Sequence, residues 1–146
     1  RDISRYTGIP PETQKELLKY LFVERTGGEY ISLSNCSIDQ AREFINLIMD
    51  VILENGIQMD ESGIDRSDDT DHYLWKCLVE RRCCICGREA EIHHSQAIGR
   101  GFNRRNFDDS SLMKMALCRE HHTESHKIGQ KDFCNKYHVY GVLYKE

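Results

Sequence analysis

Cys83-Cys84-Ile85-Cys86-Gly87, Glu91-Ile92-His93-His94 and Cys118-Arg119-Glu120-His121-His122-Thr123-Glu124-Ser125-His126 decide how this chain is read. Between Cys83 and His126 lie five of its seven histidines and four of its seven cysteines, in two interleaved sets. Cys83-x2-Cys86 followed at a distance by Cys118-x2-His121 has the pair-plus-pair spacing of a tetrahedral structural zinc site. A two-residue gap lets both sulfurs of a pair reach one ion from a tight turn, which Gly87 relieves. Cys118 and His121 stand three apart at a helix start, so both can face the same ion. Buried free thiols are the alternative, and Cys84 competes for a ligand place. With so little apolar sequence around it, this half is expected to need its zinc to fold.

The remaining histidines follow a different logic. Glu89 to His93 alternates like a strand end, which points His93 and His94 to opposite faces of an extended chain. His122 and His126, four apart, share one helix face. Together with His93 they make a three-histidine shell that leaves positions free for water and substrate, the mark of a catalytic rather than a structural site. His94, unliganded beside it, suits a general base, since a free imidazole titrates near ~6.5. The roles of His93 and His94 are exchangeable on sequence; alternation favours this order.

Working outward, 146 residues with 39% hydrophobic composition support one or two small domains. No apolar run approaches the roughly 18 residues of a membrane span, and no basic-then-apolar leader opens the chain. The odd cysteine count and the metal spacing argue for a reducing cytoplasm and no membrane partner. Cys36, Cys77 and Cys134 are left as core thiols. Because the first residue is Arg1, the natural N-terminus is expected upstream. The net charge of −4 hides an asymmetry: residues 1–75 carry −8 and residues 76–146 carry +4. The basic half suggests a polyanionic partner.

Residues 1–10 read as irregular. Pro11 opens a helix that Gly27-Gly28 ends, with Leu17, Leu18, Leu21 and Phe22 as its stripe. Glu29 to Ser34 alternates like a short strand. Ser37-Ile38-Asp39-Gln40 forms a capping box for a second helix, whose apolar positions run from Ala41 and Phe44 to Leu53 before Asn55-Gly56 closes it. The acidic stretch from Gln58 reads as a linker. A third helix follows over Asp71–Glu80, with Tyr73, Leu74, Cys77 and Leu78 inward, Trp75 as a packed aromatic and His72 on the surface. Gln130–Tyr137 is a last short helix packing Phe133, Cys134 and Tyr137 inward. The division is a helical N-terminal region at 1–57, an acidic linker at 58–70 and the cysteine-histidine module at 71–146.

These words, with Ile98-Gly99-Arg100-Gly101-Phe102-Asn103-Arg104 and His126-Lys127-Ile128-Gly129, resemble the zinc-braced HNH (ββα-metal) nucleases. The resemblance covers about the last 65 residues and is closest to phage-encoded proteins of the Rap/NinG recombination-nuclease type. It implies an α+β protein whose helical leader precedes a zinc-stabilised ββα-metal, treble-clef-like HNH module. It further implies a metal-dependent endonuclease that hydrolyses a phosphodiester of duplex or branched DNA. Carried over by position, His94 is the base, and His93, His122 and His126 hold the catalytic ion. Magnesium or manganese suits the chemistry, and zinc or nickel suits the imidazoles. The middle letter of the family motif is an asparagine shortly before the second zinc pair. Met113 stands there, leaving Asn103, Asn106 or another residue to take that role.

The stretch Gly99–Asn106 is basic and glycine-rich. Arg100, Asn103, Arg104 and Arg105, with Lys127, are the candidate phosphate contacts, and Phe102 is a candidate wedge. The bland alternative is a solvated loop with Phe102 in the core. Two other functions compete with the nuclease: a non-catalytic zinc-stabilised DNA-binding module, and a protein-interaction adaptor. The adaptor predicts no salt-dependent DNA affinity. The acidic N-terminal helices suit a homodimer contact better than DNA.

Overall fold

A computed structural model describes residues 1–96 and 108–146 of the chain. The elements run α1 (Asp2–Thr7), α2 (Pro11–Thr26), α3 (Ile38–Glu54), α4 (Gly63–Arg66), α5 (Thr70–Val79), β1 (Glu91–His94), β2 (Met113–Leu117), α6 (Arg119–Ile128), α7 (Gln130–Tyr137) and β3 (Val142–Leu143). The class is α+β, with a three-stranded antiparallel sheet in the order β1-β2-β3. Among the described residues, no helix is long and apolar enough to cross a membrane.

Local chemistry sets the helix ends. Pro11 occupies the first turn of α2, where a missing N–H costs nothing. Gly27 ends that helix in the left-handed region, its N–H donating to the Val23 carbonyl at 2.8 Å. The Ser37 capping box is formed from both sides: the Gln40 N–H donates to Ser37 Oγ at 3.1 Å, and the Ser37 N–H donates to Gln40 Oε1 at 3.0 Å. From there α3 buries Phe44, Leu47, Met49, Ile52 and Leu53, while Ile45 is exposed. Phe44 meets Phe22 of α2 edge to face, ring centroids 5.6 Å apart.

Helix α5 joins the helical layer to the sheet. Its inward residues Tyr73, Leu74, Cys77 and Leu78 are buried, and it packs against both α3 and β2. One cluster of buried side chains thereby runs from Ile3 through α5 to Met115, Leu117, Phe133 and Val139.

Several elements differ from the sequence reading. Residues 2–7 are helical, held by the buried Asp2 carboxylate, which accepts from Arg5 at 3.0 Å and from Arg66 at 2.5 Å. So short a helix rests on tertiary contacts rather than on periodicity. Residues 29–34 form no strand: they alternate but have no partner strand among the described residues, Ile31 is buried and Leu33 is exposed. Within the acidic stretch 58–70, Ile64 of α4 is buried and Asp60 pairs with Arg5. Trp75 is exposed, and His72 is tied to Asp50 at 2.8 Å. Cys77 is buried, but Cys36 and Cys134 are only half-buried. Strand β3 is too short to show in an alternation pattern.

Candidate metal centre

The first ligand pair sits in a tight turn. The Cys83 N–H donates to the Arg88 carbonyl at 2.7 Å, and the Gly87 N–H donates back to Cys83 at 2.8 Å, with Gly87 at φ 72°. A further bond, from the Cys84 N–H to the Ala116 carbonyl at 3.0 Å, fixes this turn to β2. The second pair comes from the point where β2 becomes α6. Cys118 is the N-cap of α6 and His121 lies in its first turn.

The four side chains of Cys83, Cys86, Cys118 and His121 converge, with their ligand atoms all within 4.8 Å of one another. Cys86 Sγ lies 3.7 Å from Cys118 Sγ, Cys83 Sγ lies 3.5 Å from His121 Nδ1, and Cys118 Sγ lies 3.2 Å from the same nitrogen. Zinc bonded to sulfur and nitrogen at its usual lengths makes tetrahedral edges of about 3.5–3.8 Å. The first two separations match these edges and the third is slightly shorter, whereas a disulfide would need its sulfurs about 2.05 Å apart.

The electrostatics agree. Burial pushes the Cys83 thiol up to about 12, so it stays protonated unless a cation draws the proton off. Burial also raises Cys86, but Arg88, donating from Nε at 3.3 Å, holds it below its ordinary value. Burial lowers the His121 pKa, which favours the neutral imidazole that a metal takes. Arg88 is held in turn by Glu120. Cys84 is buried like Cys83 but lies outside the cluster.

A second group forms alongside. The ligand nitrogens of His93, His122 and His126 also lie within 4.8 Å of one another. Helical spacing stacks His122 and His126 with ring centroids 5.0 Å apart; His93 of β1 stands 4.8 Å from the first and 5.4 Å from the second. Burial lowers the His93 pKa, which favours the neutral imidazole that a metal takes. His93 is buried, His122 half-buried and His126 exposed, so the group opens to solvent on the α6 side.

Outer contacts orient these rings. His93 Nε2 is 2.8 Å from Gln130 Oε1 at the start of α7, and His122 Nδ1 is 3.4 Å from Glu91 Oε2. His94 is not in the three-histidine group. Register pairs it with Lys114 on β2, whereas His93 pairs with Met115. His94 Nε2 is 2.8 Å from Asp109 Oδ2, and Asp109 Oδ1 is 2.9 Å from the buried Lys114 ammonium.

Asp109, Lys114, Gln130 and Glu91 were not singled out from sequence. The available signal was Lys114 within the otherwise apolar strand Met113–Leu117, where a charge demands a partner. Met113, at the family's asparagine position, is exposed at the start of β2.

The candidate phosphate contacts Arg100, Asn103, Arg104 and Arg105 lie outside the described residues, as do Phe102 and Asn106. Lys127 is exposed on α6 beside His126. Two further basic residues are already engaged: Arg88 by Glu120 and the ligand sulfurs, and Arg81 by Glu146.

Comparison with known proteins gave a match to one family model, described as "Putative HNHc nuclease", over residues 1–145. No curated protein and no solved structure matches the chain.

Proposed function

The chain belongs to the HNHc nuclease family, and we propose that it is a metal-dependent DNA endonuclease working at the three-histidine group. The observation that carries this is the convergence of His93, His122 and His126 beside a fourth, unliganded histidine, His94. In this reading Cys83, Cys86, Cys118 and His121 hold a structural zinc, and the sheet with α6 forms a ββα-metal, treble-clef-like module. His93, His122 and His126 hold a divalent cation, magnesium or manganese before zinc or nickel. Such a cation supplies Lewis-acid stabilisation of the phosphate oxygens and of the leaving 3′ oxygen.

The protein's own groups then have separate tasks. His94 takes the proton of the attacking water. Gln130 and Glu91 keep the ligand imidazoles turned inward. Arg100, Asn103, Arg104, Arg105 and Lys127 bind the backbone phosphates on either side of the scissile bond. The products are 5′-phosphate and 3′-hydroxyl ends. A role in phage recombination or branched-DNA processing follows the resemblance to Rap/NinG-type proteins. Exposed Tyr6, Leu17 and Tyr20 in α1 and α2 favour a homodimer contact there, which light scattering would test.

The decisive assay is cleavage of plasmid and four-way-junction DNA with Mg²⁺ or Mn²⁺. His94→Ala should abolish cleavage while circular dichroism and zinc content stay unchanged. A zinc-loaded, folded wild-type protein that binds these DNAs and cuts none of them would overturn the proposal.

A further inference from the structure

We propose that Asp109 is the residue that orients His94, and that the buried Lys114 decides which way its carboxylate faces. This rests on the reading of His94 as the base. Asp109 follows residues 97–107 and precedes β2, and it divides its two oxygens: Oδ2 meets His94 Nε2 at 2.8 Å, and Oδ1 meets Lys114 Nζ at 2.9 Å. Lys114 is 2% exposed, and its other partner is the Tyr144 carbonyl at 2.8 Å. A buried ammonium cannot give up its acceptors cheaply, so Oδ1 is committed to Lys114.

The sheet explains why these groups meet. His94 and Lys114 are direct partners in the β1–β2 register, so their side chains leave the same face and reach for one carboxylate. The bond from His94, and after it the ion pair with Lys114, hold the Asp109 carboxyl below the usual range. An ionised carboxylate only accepts, so His94 carries its proton on Nε2. The free lone pair is then on Nδ1, and Nδ1 is the atom that takes the proton from water. Lys114 has a second effect through the Tyr144 carbonyl, because it makes the segment after β3 part of the support for the base.

The arrangement gives an unusual expectation for the smallest possible change. In Asp109→Asn the one remaining acceptor goes to Lys114, and the amide NH₂ is turned toward His94. The imidazole must then accept on Nε2 and protonate Nδ1, the wrong tautomer. With Lys114→Met added, the amide is free to rotate and present its carbonyl to His94 again.

The test uses the full chain loaded with zinc and Mn²⁺ for kinetics, and the zinc-loaded chain for ¹⁵N NMR of the His94 ring, which reads the tautomer directly. Asp109→Asn should lower kcat by roughly 100-fold, within the range a positioned base contributes, and leave KM near wild type. Its His94 spectrum should switch from the Nε2–H to the Nδ1–H form. Asp109→Asn/Lys114→Met should recover most of kcat and the original tautomer, with Lys114→Met alone as the folding control. Wild-type kcat and an unchanged tautomer in Asp109→Asn, with His94→Ala inactive, would overturn this inference and leave the nuclease reading standing. Full activity in His94→Ala would instead remove the reading beneath it.

Discussion

Cys83 and Cys84 are neighbours in sequence and equally sealed from solvent, yet only Cys83 joins the ligand cluster. Cys83 Sγ lies 3.5 Å from His121 Nδ1 within that cluster, whereas Cys84 is held in the turn against the core, its N–H donating to the Ala116 carbonyl of β2 and its own carbonyl accepting from the Tyr73 hydroxyl. Cys83→Ser should therefore abolish zinc retention. Cys84→Ala should keep the zinc and lose about 1–3 kcal/mol of stability as a small core cavity. Zinc content by mass spectrometry and denaturant unfolding of both variants separate the two roles; zinc loss in Cys84→Ala would contradict the assignment.

Removing the metal should unfold the module that depends on it. The buried Cys83 thiol, pushed up to about 12, is unsuited to bear a charge without a cation. Chelation should then expose β1, β2 and α6 to hydrogen exchange, with slower loss of protection in α2 and α3. Equal loss across all five elements would show that the helices have no stability of their own.

Gln130 makes a prediction about affinity. Its carbonyl fixes the His93 ring at 2.8 Å, so Gln130→Ala should weaken Mn²⁺ or Zn²⁺ binding at the three-histidine group by about 10–100-fold. The cysteine-rich centre should be untouched. Titration calorimetry on zinc-loaded protein measures this without reference to activity, and unchanged affinity would count against the orienting role.

Acid stability can be tested away from either centre. Glu54 accepts from Arg25 and Lys76, each at 3.0 Å, and the bond from Arg25 leads in holding its carboxyl below the ordinary 4.5. A lowered folded-state pKa contributes stability that is present above 4.5 and lost as pH falls below it. Glu54→Gln should cost on the order of 0.5 kcal/mol at pH 7, as expected for part-exposed pairs. The difference from wild type should vanish toward pH 3. Paired denaturant melts across that range would show a constant gap if the assignment is wrong.

Much of the site was legible because ligand chemistry imposes strict spacing. Cys83-x2-Cys86 and Cys118-x2-His121 announce four side chains that converge, and the four-residue step from His122 to His126 fixes a shared helix face. The capping box at Ser37 and the glycine stop at Gly27 were equally local, and both elements formed where those residues placed them. What sequence did not reveal depends on contacts between distant residues. Helix α1 is held by Arg66, the core position of Ile64 depends on α5, and β3 needs β2 as a partner. Asp109 was hidden for the same reason. Nothing in Asp108-Asp109 distinguishes a supporting carboxylate from a solvated turn until Lys114 and His94 arrive from two strands.

Finally, His121 and His122 are consecutive on the first turns of α6, one facing the sulfurs and the other facing the histidines. On the proposed reading, the two centres should therefore not mature independently. Until the thiolates are occupied, the helix that carries His122 and His126 would lack its anchor, so loading is expected to be hierarchical. Cellular zinc supply would then govern when the protein becomes able to cut, however plentiful the second ion is.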